Sequence, residues 1–94
     1  MREFKNSALF AKKISRLKGK ERNTVYLKIK EILLCKDINH YKNLKYELKK
    51  FKRVHVNKSF IILFRDKSNV IHFIDYEHHD KVYEKNHFYK QYFL

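Results

Sequence analysis

The sequence predicts an α+β domain in which two N-terminal helices pack on an antiparallel sheet of three or four strands and a C-terminal helix follows. Three observations carry this. Apolar residues recur every three to four positions through the first third of the chain, the spacing changes to two from Phe51, and Asp80 stands as a capping residue before a last helical stretch. The 94 residues suit one domain, 1–94, and seven Tyr and eight Phe provide large apolar areas for a single core.

Residues 2–5 suit a short first strand. Asn6 or Ser7 then caps a helix with Leu9, Phe10, Ile14 and Leu17 on one face and Lys12, Lys13 and Arg16 on the other. Lys18, Gly19 and Lys20 end it, with Gly19 in the left-handed position beyond the C-cap. A second helix over 21–36 aligns Val25, Ile29, Ile32 and Leu33 and completes an αα-hairpin. Residues 37–50 lack a single period and are read as an irregular crossing segment anchored by Leu44 and Leu48. Arg53, His55 and Asn57 next alternate with Val54 and Val56, giving a strand with one basic and one apolar face. Asn57, Lys58 and Ser59 form a turn, and the uninterrupted apolar run 60–64 fits a central strand covered on both sides. A second hairpin turn at 66–69 leads to a strand over 70–76, where Val70, His72, Ile74 and Tyr76 oppose Ile71, Phe73 and Asp75. Asp80 caps a final helix reaching about Tyr92, with Val82, Tyr83, Tyr89 and Phe93 as contact residues.

Lys and Arg outnumber Asp and Glu by 23 to 10, a net charge of +13 that calls for a polyanionic partner. Nucleic acid, an acidic protein and an anionic membrane surface all qualify on charge alone. The longest apolar run, 60–64, is far short of the roughly 20 residues that span a bilayer, so no membrane insertion is expected. A lone Cys35 makes no intrachain disulfide, and no apolar signal-peptide run follows Met1, which together point to the reducing cytoplasm.

Of six histidines, His55 shares the basic strand face with Arg53, and His78 and His79 follow the last strand, where residues project over the sheet rim. Internal attack of a ribose 2′-hydroxyl on the adjacent phosphate requires a base, an acid and cations for the developing charge. Two imidazoles with Arg or Lys supply all three without a metal. A surface or structural role is the ordinary fate of a single histidine, and it is the expected one for His40, His72, His78 and His87. His72, His78, His79 and His55 could form a cluster, but a zinc site is not expected, because no CxxC, HxxxH or paired-carboxylate spacing accompanies the histidines, and no cofactor is expected either. Ser7, Ser15, Ser59 and Ser68 lack the flanking glycines of a nucleophile elbow, and Cys35 falls in a helical pattern as a buried thiol does. Tyr83, one helical turn beyond His79, either stacks on a base or orients a phosphate, or is a core aromatic. Lys42, Lys45, Lys49, Lys50, Lys52 and Arg53 cluster around the first strand of the meander, and Lys58 and Arg65 extend the set; phosphate contact is the functional reading, a solvated surface the bland one.

Two runs carry a family resemblance. In 51–65 an aromatic at Phe51 is followed by a His-Val step at His55 and Val56 and an aromatic, Phe60, opening the central strand; in 76–83 His79 lies shortly before Tyr83. With the two preceding helices, this resembles the RelE/ParE toxin superfamily, closest to its YafQ-like branch, over about 2–85. The resemblance implies a metal-independent messenger-RNA endonuclease acting in the ribosomal A site and silenced by a cognate acidic antitoxin. It implies functional histidines at His55 and His79 and aromatic site positions at Phe60 and Tyr83. There are departures: Ser59 stands where the family has an acid, Lys42 where it has a histidine, with His40 nearby, and Ile61 where RelE proper has an arginine. The competing expectation, motivated by those departures, is a non-catalytic nucleic-acid binder or a gyrase-directed inhibitor of the ParE kind.

Overall fold

Ser7 shows how the first elements are tied together. In the computed structural model, which describes residues 1–92, its hydroxyl oxygen accepts the Phe10 N–H and starts helix α1 (Ala8–Ser15), while the hydroxyl itself donates to the Ile74 carbonyl at 2.6 Å. One side chain thus caps the helix and docks it on the last strand. Strand β1 (Glu3–Asn6) precedes α1, and helix α2 (Gly19–Leu34) follows it. α2 buries Val25, Ile32 and Leu33 on the stripe expected from their spacing. Gly19 has the left-handed φ of +58° expected of it, but α1 has already closed at the C-cap Arg16, and Gly19 instead opens α2 after the extended Lys18. The left-handed residue serves to reverse the chain between the helices rather than to terminate the first.

The remaining strands are β2 (Lys52–His55), β3 (Phe60–Lys67) and β4 (Val70–His78), in the sheet order β1-β4-β3-β2. The β2–β3–β4 meander is antiparallel, whereas β1 joins β4 in parallel, a departure from the purely antiparallel sheet expected. The two intervening helices and two strands supply the long crossover that parallel neighbours require. Ser68 and Asn69 both take positive φ, the signature of a two-residue turn whose twist suits a hairpin.

A bulge between Leu63 and Phe64 pairs Leu63 with Asp75 and Phe64 with Phe73, leaving Ile74 as the extra residue on β4. Strict alternation along 70–76 therefore fails: Phe73 and Tyr76 join the core beneath the helices, while Ile74 joins the core on the opposite face. The first core contains Phe10, Val25, Ile32, Ile62, Phe64 and Phe73; the second contains Leu44, Leu48, Phe51, Ile61, Leu63, Val82 and Tyr89. β3 contributes to both, as its unbroken apolar run requires. Leu44 and Leu48 are the buried anchors of the crossing segment, which has 3₁₀ turns at Ile38–His40 and Tyr46–Leu48.

The C-terminal region departs most from expectation. β4 runs on to His78, whose Nδ1 accepts the Asp80 N–H, so His78 and not Asp80 is the cap. Instead of one helix there are 3₁₀ turns at His79–Lys81, Tyr83–Lys85 and Lys90–Tyr92 around a single α-helical turn, α3 (Asn86–Tyr89). Tyr, Phe, His and Asn are weak helix formers, and specific contacts to the sheet decide the path. Val82 and Tyr89 are buried as expected, and Phe93 lies outside the described residues. Among the described residues no helix is long and apolar enough to cross a membrane.

Asp75, fully buried, accepts from the Tyr89 hydroxyl at 2.5 Å and pairs with Lys13 of α1 at 2.7 Å and with Lys85 at 3.5 Å. Glu77 pairs with the same two lysines, at 3.2 and 2.6 Å. Burial by itself would raise the Glu77 pKa, but hydrogen bonds from Lys85, the His78 N–H and Lys13 outweigh it and hold the carboxyl at about 2. A carboxyl depressed in the folded state adds stability above its unfolded pKa of about 4.3 and loses it as pH falls through the folded value. Urea unfolding should therefore show stability declining by on the order of 2–3 kcal/mol between about pH 5 and pH 2. Glu77→Gln should flatten that decline; an unchanged pH dependence in the variant would remove Glu77 as its source.

Candidate functional site

β2 is one of the two edge strands, and its alternation directs Val54 and Val56 toward the helices and Arg53 and His55 toward the other face. Its outer edge is partly covered by the crossing segment, through hydrogen bonds from the Arg53 N–H to the Lys42 carbonyl and from the Leu44 N–H to the Phe51 carbonyl. Across the sheet His55 faces Ile61, and Ile61 faces Glu77. The two-residue extension of β4 then matters: the His79 N–H donates to the Ser59 carbonyl at 2.8 Å, pinning His79 beside the β2–β3 turn. The His55 and His79 rings consequently lie 6.0 Å apart between centroids, inclined at 51°.

Each ring has its own surroundings. Partial burial first, then the positive charges of Arg53 and His79, lower the His55 pKa, so the neutral ring that can accept a proton is favoured. His79 Nδ1 lies 2.9 Å from Asp80 Oδ1, and its ring stacks on His78 at 4.8 Å. An imidazole held by a carboxylate at one nitrogen is oriented for proton transfer at the other.

The pair opens into a cleft of about 540 Å³ whose wall includes Lys45, Tyr46, Arg53 and Tyr83 and whose floor includes Ile61 and Val82. A second hollow of about 490 Å³ shares Arg53 and His55 and adds His40, Lys42 and Lys28, the last paired with Glu31 in the same lining. Together they form a cationic track across the β2 edge. The Tyr83 hydroxyl accepts the Lys45 N–H at 2.9 Å, joining the crossing segment to the C-terminal turns.

Of the residues singled out in the sequence, His55, His79, Tyr83, Lys45 and Arg53 meet in the first cleft, and Lys42 lines the second. Lys49, Lys50 and Lys58 are exposed on nearby turns and line neither hollow. Three assignments need correction. Lys52 is only 8% exposed because it sits on the opposite side of β2, where its ammonium donates to Asn43 Oδ1 and the Tyr41 carbonyl; it secures the crossing segment and does not reach a phosphate. Phe60 packs beneath the helices, stacked on Tyr76 at 5.0 Å and away from the cleft. Arg65, toward the far end of β3, donates to the Tyr92 carbonyl at 2.7 Å and holds the C-terminal turns. Sequence reasoning misses Tyr46, because no periodic pattern marks a residue presented by loop conformation. Among the described residues, His78, His79 and Asp80 form the one group whose ligand atoms, within 4.8 Å of each other, could hold a metal ion; neither His55 nor His72 belongs to it.

Comparison with known proteins places this geometry in context. No family model matches the chain. It is 39% identical over 80 residues to a protein of Methanocaldococcus jannaschii named "Putative toxin RelE4", covering 83% of both chains. The fold is shared with crystalline YafQ from E. coli strain BL21(DE3), at a TM-score of 0.68 and 16% identity over 88% of this chain and 99% of that one. The intact RelBE toxin–antitoxin complex of E. coli also contains it, at a TM-score of 0.67 and 14% identity over 83% of this chain and 96% of that one.

Proposed function

The chain belongs to the RelE/ParE-type toxin superfamily with a YafQ-like fold, and from that premise we propose that it is the toxin of a toxin–antitoxin pair and cuts messenger RNA by metal-independent acid–base catalysis. The observation carrying the proposal is the approach of His55 and His79 to 6.0 Å in a cleft that also presents Arg53 and Lys45. His55, biased to its neutral form, takes the proton of the ribose 2′-hydroxyl. The 2′-oxygen attacks phosphorus, the bond to the 5′-oxygen breaks, and His79, held by Asp80 through Nδ1, gives a proton to that leaving oxygen. Arg53 and Lys45 stabilise the negative charge that builds on the phosphoryl oxygens. The products are a 2′,3′-cyclic phosphate and a free 5′-hydroxyl.

An acidic antitoxin segment over the same track would account for the charge of +13 and silence the site by covering it. The solved complexes of related folds with their antitoxins, RelBE and DinJ-YafQ, support such a partner. Addition of the protein to programmed ribosomes, followed by primer extension, should reveal new messenger ends; intact messenger contradicts the proposal. The lowered His55 pKa has a kinetic consequence. With His55 as base, activity should fall on the acidic side with an apparent pKa below the ordinary histidine value of about 6.5. A pH–rate profile whose acidic limb lies above that value would contradict the assignment. The absence of an acidic side chain at Ser59 and of an arginine at Ile61 favours a second reading, a gyrase-directed toxin, and replication arrest with stable messenger is the result that would select it.

A further inference from the structure

Asp80 orients one ring of the histidine pair, yet burial does nothing to orient Asp80. Its side chain is 73% exposed, and it sits in the three-residue 3₁₀ turn His79–Lys81, too short to be rigid by itself. A carboxylate free to swing into solvent would hold His79 weakly, because every other rotamer it visits dilutes the one that meets Nδ1. The bond that ties the Asp80 backbone down comes from His78, whose Nδ1 accepts the Asp80 N–H at 3.2 Å. An accepting Nδ1 carries no proton, so His78 offers none there to the Asp80 carboxylate, whose Oδ2 lies 3.7 Å away. The carboxylate is thereby left to His79 Nδ1, at 2.9 Å. His78 is itself fixed: it ends β4 in register with Phe60, its ring meets the Phe60 ring edge-to-face at 5.6 Å and 74°, and the His79 ring stacks on it at 4.8 Å.

Resting on the nuclease reading, we propose that His78 is a positioning residue: its Nδ1 fixes Asp80, so that the Asp80 carboxylate keeps a proton on His79 Nδ1 and leaves His79 Nε2 to serve the departing 5′-oxygen. The hydrogen bond made at one ring nitrogen decides which nitrogen keeps the proton, and His79 without a settled Asp80 has no reason to keep it at Nδ1. Two adjacent imidazoles therefore have different tasks. His79 transfers the proton, whereas His78 line no cleft wall and acts only through Asp80. Phe60, packed beneath the helices, reaches the chemistry by the same route, since it backs the His78 ring.

Two variants of the full chain test this. His78→Ala removes the acceptor, while His78→Asn places an amide oxygen close to where Nδ1 stood, in a residue type favoured as a cap, and removes only the ring. In single-turnover cleavage on programmed ribosomes, His78→Ala should lower the saturating rate about tenfold and leave the half-saturating ribosome concentration unchanged; His78→Asn should stay within about twofold of the parent. Nitrogen-15 NMR of the free protein at about pH 8.5, above the ordinary histidine range, reads the His79 tautomer without any activity. The parent and the Asn variant should carry the proton at Nδ1, and the Ala variant should shift it toward Nε2. A cap that merely stabilised the turn would lower Tm and leave that tautomer alone, since the His79 backbone stays bonded to Ser59. Parental cleavage by the Ala variant overturns the proposal, as does an unchanged tautomer. An Asn variant as slow as the Ala variant overturns it too, by assigning the effect to the stacked ring. If the parent itself leaves messenger intact, the nuclease reading falls, and the tautomer alone then decides whether His78 sets His79.

Discussion

Alanine at both His55 and His79 should lower messenger cleavage by about 10³–10⁴-fold, and each single substitution should account for about 10²–10³ of that. The effects are not expected to multiply in full, because removing either ring breaks the same proton relay: a base without an acid, or an acid without a base, leaves one of the two transfers to water. Both side chains are exposed, and His79 is fixed to Ser59 through its backbone N–H, a bond that alanine keeps. The variants should therefore retain the parent's Tm and its affinity for RNA to within a few-fold. Single-turnover cleavage on ribosomes, measured beside thermal unfolding, separates the outcomes. Equal cutting by the double variant would remove both rings from the chemistry, and a lost Tm would show that they hold the fold.

Asp75→Ala should be the most damaging single change to stability, at about 3–5 kcal/mol, because it breaks a buried set of charges from one side. Lys13 and Lys85 still reach Glu77, but the buried Tyr89 hydroxyl loses its acceptor. Against a total stability of about 5–15 kcal/mol for a domain, a loss of that size consumes a large fraction, and Tm should fall by roughly 12 °C or more. Urea unfolding of Asp75→Ala, Tyr89→Phe and the double variant forms a cycle. The double variant should be less destabilised than the two single losses added together, since the phenylalanine leaves no orphaned hydroxyl. Strict additivity would mean that Asp75 stabilises the fold without acting through Tyr89.

Much of the fold is legible in residue spacing because burial sets it. The helical stripe of Val25, Ile29, Ile32 and Leu33 and the two-sided run 60–64 each mark a surface that must leave water, and both are where the spacing puts them. Legibility fails where a single long-range contact outweighs local pattern. The bulge at Ile74 reverses the facing of Asp75 and Tyr76, and nothing in the alternation of 70–76 announces it. The C-terminal turns follow Lys85, Tyr89 and the Asp75 carboxylate rather than the capping rule that points to Asp80. The parallel placement of β1 is likewise a tertiary choice that four residues do not encode.

The candidate site divides along the same line. His55 and Arg53 follow from the alternation of one strand, and His79 from its position just beyond another. Charge, by contrast, does not say which lysines face the cleft: Lys52 and Arg65 are as basic as Lys45 and Arg53, yet they hold loops in place. Tyr46 lies in a segment without periodicity, and only its backbone conformation reveals that it is presented to the cleft.

A messenger carrying one 2′-deoxynucleotide at a mapped cleavage position provides the most direct measurement of the chemistry assigned to the histidine pair. Internal attack predicts that cleavage disappears at that position and persists at unmodified ones. Cutting that continues at the deoxy position would show that the nucleophile is something other than the ribose hydroxyl, and would contradict the role of His55 as the base that activates it.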